Sequence, residues 1–372
     1  MKKISITLGA LACILLLFVI YQNYHQKSDE IIIGGAISLT GDNALQGKRG
    51  LNGMLLAIDM ANEQGGINGK KIRLISEDTQ TTAKGAINAY TKLTQMNKVD
   101  AVISTGDIEF QAINDITKKT KIITIATICS GMLEENRSPY LFRYCFNEKI
   151  QDAILFNYVK KEMGANEISL VFPNNLWGKE IEKYYDLSAK QSDITIIQKE
   201  TYDPASLDQK AVALKLKEKG SNLICARGFG SGFEAVLKHL SELDYKGTIV
   251  GDITIQLPGT INNTKGIVEG AYYVSVDLKD SNDTFTNLYR DKYQEKYKEE
   301  PSVWDALGFD TCSYLIAALK YSDEKGVSLE ESLKLIKDVK LLLGDNKFED
   351  SNDVHFNMSI FKIVNGTKTF VK

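Results

Sequence analysis

From Glu30 onward the chain alternates short apolar, β-prone runs with segments of helical spacing, and this rhythm restricts the fold more than any other feature. Residues 31–37 read as a buried strand. Leu51, Met54, Leu55 and Ile58 then share one helix face, which stops near Gly65-Gly66. Residues 71–75 predict a second strand, 83–96 a helix, and 101–104 and 122–126 two more strands. The pattern repeats at 167–172, 194–198, 222–226 and 248–251, with helices between. A strand reaches a parallel neighbour only through a crossover, which a helix supplies, so two runs of this kind specify two parallel sheets in an α/β architecture. Helices over 283–298 and 308–321 follow, and 361–364 with 368–371, split by Asn365-Gly366, predict a closing hairpin.

The 372 residues exceed one typical hydrophobic core, which also favours two lobes. Only five prolines occur and no Ser/Pro-rich tether separates the halves, so short crossings within the fold should join them. With 45 basic against 48 acidic residues and no long basic block, nucleic acid is excluded as a partner. His25, His239 and His355 lie far apart, and Cys13, Cys129, Cys145, Cys225 and Cys312 show no C-x-x-C spacing, so neither a structural zinc nor a disulfide framework is expected. No cofactor motif is present. Gly228-Phe229-Gly230-Ser231-Gly232 lacks both the nucleophile-elbow and the dinucleotide spacing. It reads instead as a strand-to-helix turn whose backbone N–H groups suit a small polar ligand. Nothing in the sequence forms a catalytic constellation, and no enzymatic activity is expected.

At the N-terminus, Met1-Lys2-Lys3 precedes an uncharged run from Ile4 to Ile20. A charged start before an apolar stretch is an export signal. Three readings stay open: a retained membrane anchor, which leads; a lipobox at Ala10-Leu11-Ala12-Cys13 with Cys13 lipidated; and a cleaved signal. Each places the remainder outside the cytoplasm, on the extracytoplasmic face of a cell membrane.

The stretch from Ile33 to Leu93 is the most specific. Gly34-Gly35-Ala36-Ile37-Ser38-Leu39-Thr40-Gly41 is followed by Ala44, Gly47, Gly53, Ala57-Ile58-Asp59, Asn62, Gly65-Gly66-Ile67-Asn68-Gly69-Lys70-Lys71-Ile72, Glu77-Asp78 and Ala86. This resembles the opening of bacterial extracytoplasmic solute-binding proteins of the branched-chain amino acid (Leu/Ile/Val-binding) type, with the type I periplasmic-binding-protein fold. Further matches are Tyr140-Leu141-Phe142-Arg143, 171–178, Gly270-Ala271-Tyr272-Tyr273 and 301–310.

The resemblance implies two doubly wound α/β lobes joined by three crossings. The expected division is a signal or anchor segment at 1–29, lobe one from 30–146 plus 277–350, and lobe two from 147–276 plus 351–372. It implies a monomeric receptor that closes on a small solute, expected to be an amino acid, and delivers it to an ABC transporter permease. A sensory subunit with a separate signalling partner, and a receptor for an amide or other solute, remain alternatives. The ligand contacts it implies are an aromatic wall from Trp177 and Phe229, a counter-charge to an ammonium from Asp252, and head-group contacts from Ser130 and the Cys129 backbone. Gln46 stands in the first loop. Asp107 with Glu109 conflicts with a ligand carboxylate, and Arg227 is positioned in the sequence to answer an anionic group.

Overall fold

The computed structural model describes residues 30–129, 136–276, 278 and 283–371. The strands are β1 (Glu30–Ile37), β2 (Lys71–Asp78), β3 (Ala101–Thr105), β4 (Thr124–Thr127), β5 (Leu141–Tyr144), β6 (Glu167–Pro173), β7 (Thr195–Tyr202), β8 (Leu223–Ala226), β9 (Thr248–Gly251), β10 (Tyr272–Ser275), β11 (Ser359–Val364) and β12 (Thr367–Phe370). The helices are α1 (Ala44–Glu63), α2 (Ala83–Thr91), α3 (Asp107–Thr120), α4 (Glu148–Lys161), α5 (Leu176–Ser192), α6 (Lys210–Glu218), α7 (Gly230–Glu242), α8 (Pro258–Asn263), α9 (Thr284–Tyr297), α10 (Val303–Lys325) and α11 (Leu329–Leu335).

Two sheets form. One runs β2-β1-β3-β4-β5 and is parallel throughout. The other runs β12-β11-β10-β9-β8-β6-β7, parallel from β7 to β10 and antiparallel across β10, β11 and β12. The inner strands read as unbroken apolar runs because helices cover both faces. Ile33, Ile103 and Phe142 pack on one side of the first sheet with α1 and α10, and Val102, Phe110 and Leu141 pack on the other. The second sheet is sandwiched in the same way by the clusters around Phe233 and around Tyr185.

Chain crossings follow β5, β10 and α11. In the first lobe α10 lies against α1 so closely that a Cβ on Gly53 would stand 1.9 Å from the Asp305 carbonyl oxygen, and one on Gly308 would stand 2.0 Å from that of Gly50. These glycines are there for the backbone contact. Helix α10 starts five residues earlier than the sequence pattern predicts, because Ser302 and Asp305 form a capping box.

Two expectations are corrected. Residues 351–356, expected in lobe two, stay with lobe one. Arg143 binds Asp353 through Nε at 3.0 Å and Nη2 at 2.6 Å, and Phe356 packs edge-on to Tyr144 with ring centroids 5.2 Å apart. The third crossing therefore lies just before β11. The cysteines also differ from expectation: Cys129 and Cys145 form a disulfide, with Cα atoms 5.5 Å apart. Parallel pairing of β4 with β5 brings their carboxyl ends together, an adjacency that the 16-residue separation does not reveal. The segment 1–29, with Cys13, and Ser130 lie outside the described residues. Among the described residues no helix is long and apolar enough to cross a membrane.

Candidate functional site

Both lobes wind alike. From β1 the chain goes to β2 on one side and then to β3 on the other, and from β6 it goes to β7 and then β8. Such reversals open a crevice at the carboxyl ends of the strands, where open α/β sheets bind ligands. A cavity of about 290 Å³ occupies this place, walled by both lobes, near the lower end of small-molecule sites.

Lobe one contributes Asn43 and Gln46 from the start of α1, Asp107 and Gln111 from α3, and Ile128 and Cys129 after β4. Lobe two contributes Glu148 and Gln151 from α4, Asn175 and Trp177 at the start of α5, Phe229 before α7, and Asp252 to Thr254 after β9. Phe146 on the first crossing and Trp304 on α10 complete the apolar walls. The rings come in two pairs: Trp177 with Phe229, centroids 5.3 Å apart, and Phe146 with Trp304, 6.4 Å apart.

Local sequence explains the placements. Asn147 caps α4 by accepting from the backbone N–H groups of Lys149 and Ile150, which sets Glu148 in the first turn. Asn175 caps α5 by accepting from the Gly178 N–H, and Trp177 follows within the first turn. The Trp177 indole Nε1 donates to Glu148 Oε1 at 2.9 Å.

Behind the lobe-two wall lies a buried charge cluster. Arg227 donates through Nη2 to Asp152 Oδ1 at 2.6 Å, and its Nε lies 3.2 Å from Asp252 Oδ2. Its Nη1 lies 3.8 Å from Glu148 Oε2, and its guanidinium sits over the Tyr185 ring at 5.3 Å. One cation thus faces three carboxylates. Burial pushes the Glu148 carboxyl up to about 8; Arg227 opposes this, while the charges of Asp107 and Asp152 add to it. Burial likewise pushes Asp152 up to about 7 against the pull of Arg227.

Six of the sequence-nominated residues line the cavity: Gln46, Asp107, Cys129, Trp177, Phe229 and Asp252. Gln46 does so from the first turn of α1 and not from a loop. Asp252 has two occupations already, since it accepts from the Thr254 N–H at 3.0 Å and pairs with Arg227. Arg227 is corrected: it is fully buried, stands outside the cavity lining, and its charge is taken up by carboxylates of its own lobe. Glu109 is also internal, accepting from Ser38 Oγ at 2.6 Å and Thr79 Oγ1 at 2.7 Å. Sequence reasoning missed Glu148, Gln151 and Trp304. The signals were faint: a capping Asn147 directly after the first crossing, and a capping Ser302 two residues before Trp304.

Two doubly wound lobes joined by three crossings, with their strand ends converging on one shared cavity, define the type I periplasmic-binding-protein fold. The chain belongs to the periplasmic binding protein family, whose model matches residues 30–368. Among curated relatives, Leu/Ile/Val-binding protein homolog 3 of Brucella melitensis is 21% identical over 225 residues, 60% of this chain, and this chain spans 61% of that relative's own length. Leu/Ile/Val-binding protein homolog 7 of Brucella suis is 21% identical over 292 residues, 74% of this chain and 72% of that one. Among solved structures, the branched-chain amino acid transporter substrate binding protein LivJ from Streptococcus pneumoniae, in complex with isoleucine, superposes with a TM-score of 0.82 at 24% identity, covering 91% of this chain and 97% of that chain. An ABC transporter solute binding protein from R. palustris in complex with benzoate superposes with a TM-score of 0.81 at 17% identity, covering 92% and 95%. At these identities the superpositions establish the fold.

Proposed function

We infer that this protein is an extracytoplasmic receptor that encloses a small polar solute between its lobes and presents the closed form to an ABC import permease. The observation that carries this reading is a cavity walled by residues of both lobes. A ligand that touches both walls binds the closed form better than the open one, and so shifts the population toward closure. The permease then distinguishes loaded from empty receptor by shape. The receptor acts as a monomer and performs no covalent chemistry. It is held at the outer membrane face by its N-terminal segment, with lipidation of Cys13 as the alternative attachment. The contacts proposed for the solute are Gln46, Asp107, Cys129, Trp177, Phe229 and Asp252, joined by Glu148 and Gln151.

The test is a thermal-shift screen of small metabolites on the soluble part, followed by small-angle scattering with and without each hit. A specific ligand raises the melting temperature with the logarithm of its concentration. The radius of gyration should fall on binding. A confirmed ligand that leaves the radius unchanged, from an apo form shown to be open, refutes the closing mechanism.

A further inference from the structure

The charge pattern of the cavity identifies the class of solute. None of the described residues lining it is a lysine, arginine or histidine, whereas Asp42, Asp107, Glu148 and Asp252 all line it. Among the described residues, Arg227 lies behind the wall and is paired with Asp152 and Asp252. Two of the helix N-termini that face the cavity, one from each lobe, carry acids, Asp107 on α3 and Glu148 on α4, while those of α1, α5 and α7 carry none in their first turns. A solute carboxylate brought to either of these two would meet an acid and no cation, which is unfavourable.

Three buried side-chain atoms on lining residues have no hydrogen-bond partner among the described residues: Gln46 Oε1, Glu148 Oε2 and Gln151 Nε2. Gln46 Oε1 is an acceptor from lobe one, and Glu148 Oε2 becomes one in lobe two once its carboxyl is ionised. Their residues are 7% exposed each, and Gln151 is 4% exposed. Buried acceptors of this kind call for N–H or O–H donors. The apolar walls combine Ile108, Ile128 and Ile253 with the two aromatic pairs, and aromatic ring faces attract a positive charge.

We propose that the solute is a small primary ammonium compound lacking a carboxylate, its N–H groups shared between Gln46 of lobe one and Glu148 of lobe two and its charge balanced by Asp107. Without the solute, Glu148 keeps its proton because it is buried beside Asp107 and Asp152; a cation between Asp107 and Glu148 favours its ionised form, so that both carboxylates hold the solute. Gln151 Nε2 remains as a donor for a hydroxyl or ether oxygen elsewhere on the solute. This rests on the receptor reading above and narrows it away from zwitterionic amino acids.

The experiment is calorimetry on the soluble protein with compounds matched in carbon skeleton: 3-methylbutylamine, L-leucine and 4-methylpentanoate, and the corresponding 2-phenylethylamine, L-phenylalanine and 3-phenylpropanoate. On at least one skeleton the amine should bind, and more tightly than its amino acid by about tenfold or more, with the acid weakest. Asp107→Asn and Glu148→Gln should each weaken the bound amine by about thirtyfold or more. Glu148→Gln retains an oxygen for the Trp177 N–H, so the fold should tolerate it. If an amino acid or an acid binds more tightly than its amine, the ammonium assignment is overturned while the receptor stands. An amine whose affinity ignores both substitutions overturns it too. Failure of all six compounds to bind at millimolar concentration rejects the assignment, and if a broad metabolite screen is also silent, the receptor reading falls with it.

Discussion

Glu148→Gln should leave the unliganded protein nearly as stable as wild type at pH 4.5 and make it more stable at pH 8. Glu148 is buried beside Asp107 and Asp152, and even with Arg227 at 3.8 Å its carboxyl is held at about 8, against 4.5 for the free side chain. Below pH 4.5 the acid is protonated in folded and unfolded chains alike, so it costs nothing. Between 4.5 and 8 the unfolded chain gives up this proton and the folded chain keeps it, so folding stability falls as pH rises. Each unit of pH across that window is worth about 1.4 kcal/mol, so the window as a whole amounts to roughly 5 kcal/mol. Asp152, held at about 7, titrates in the same range and shares part of that loss. Glutamine has no proton to lose and still accepts from the Trp177 indole. Urea unfolding followed by circular dichroism at pH 4.5, 6, 7 and 8 measures the difference between variant and wild type. It should open steadily in favour of the variant. A difference that stays constant with pH, or a variant that is less stable at pH 8, refutes the reasoning. Together with the expected loss of binding, the outcome would be a site that sacrifices stability for function.

Trp177→Ala removes a cavity wall, its ring contact with Phe229 and the hydrogen bond to Glu148; binding of any solute found by the screen should weaken by about 2 kcal/mol or more in calorimetry. Arg227→Met leaves Asp152 and Asp252 buried without their cation and should destabilise the fold by about 3–5 kcal/mol at pH 7 in a denaturant melt, whereas a solvent-facing ligand contact would leave stability unchanged. Cys129→Ser with Cys145→Ser opens a loop spanning 16 positions and should cost about 3 kcal/mol, read as a lowered melting temperature that reducing agent reproduces in wild type alone. Gly53→Ala drives a methyl into the Asp305 carbonyl and should lower the melting temperature by forcing α1 and α10 apart; an unchanged value would mean that the helices can separate freely.

The sequence by itself determined the architecture. Apolar runs alternating with helical faces are local patterns, set by the period of each element, and they placed most of the strands of both sheets and the turns at their carboxyl ends. Because ligand crevices in open α/β sheets form at those ends, six of the residues nominated from the turns came to line the cavity. What a side chain does once there depends on partners far away in the chain, and only the tertiary structure decided it. Arg227 stands in a cleft turn by sequence yet points into the lobe, because Asp152, 75 residues earlier, is brought within 2.6 Å of it. Glu148 became a principal group of the site through Trp177 and through Asp107 in the opposite lobe, neither of which its own neighbourhood announces. Cys129 and Cys145 meet because β4 and β5 pair, and residues 351–356 remain with lobe one because Arg143 holds Asp353. Periodicity records which face of an element is buried; it carries no record of which distant charge, thiol or ring that face will meet.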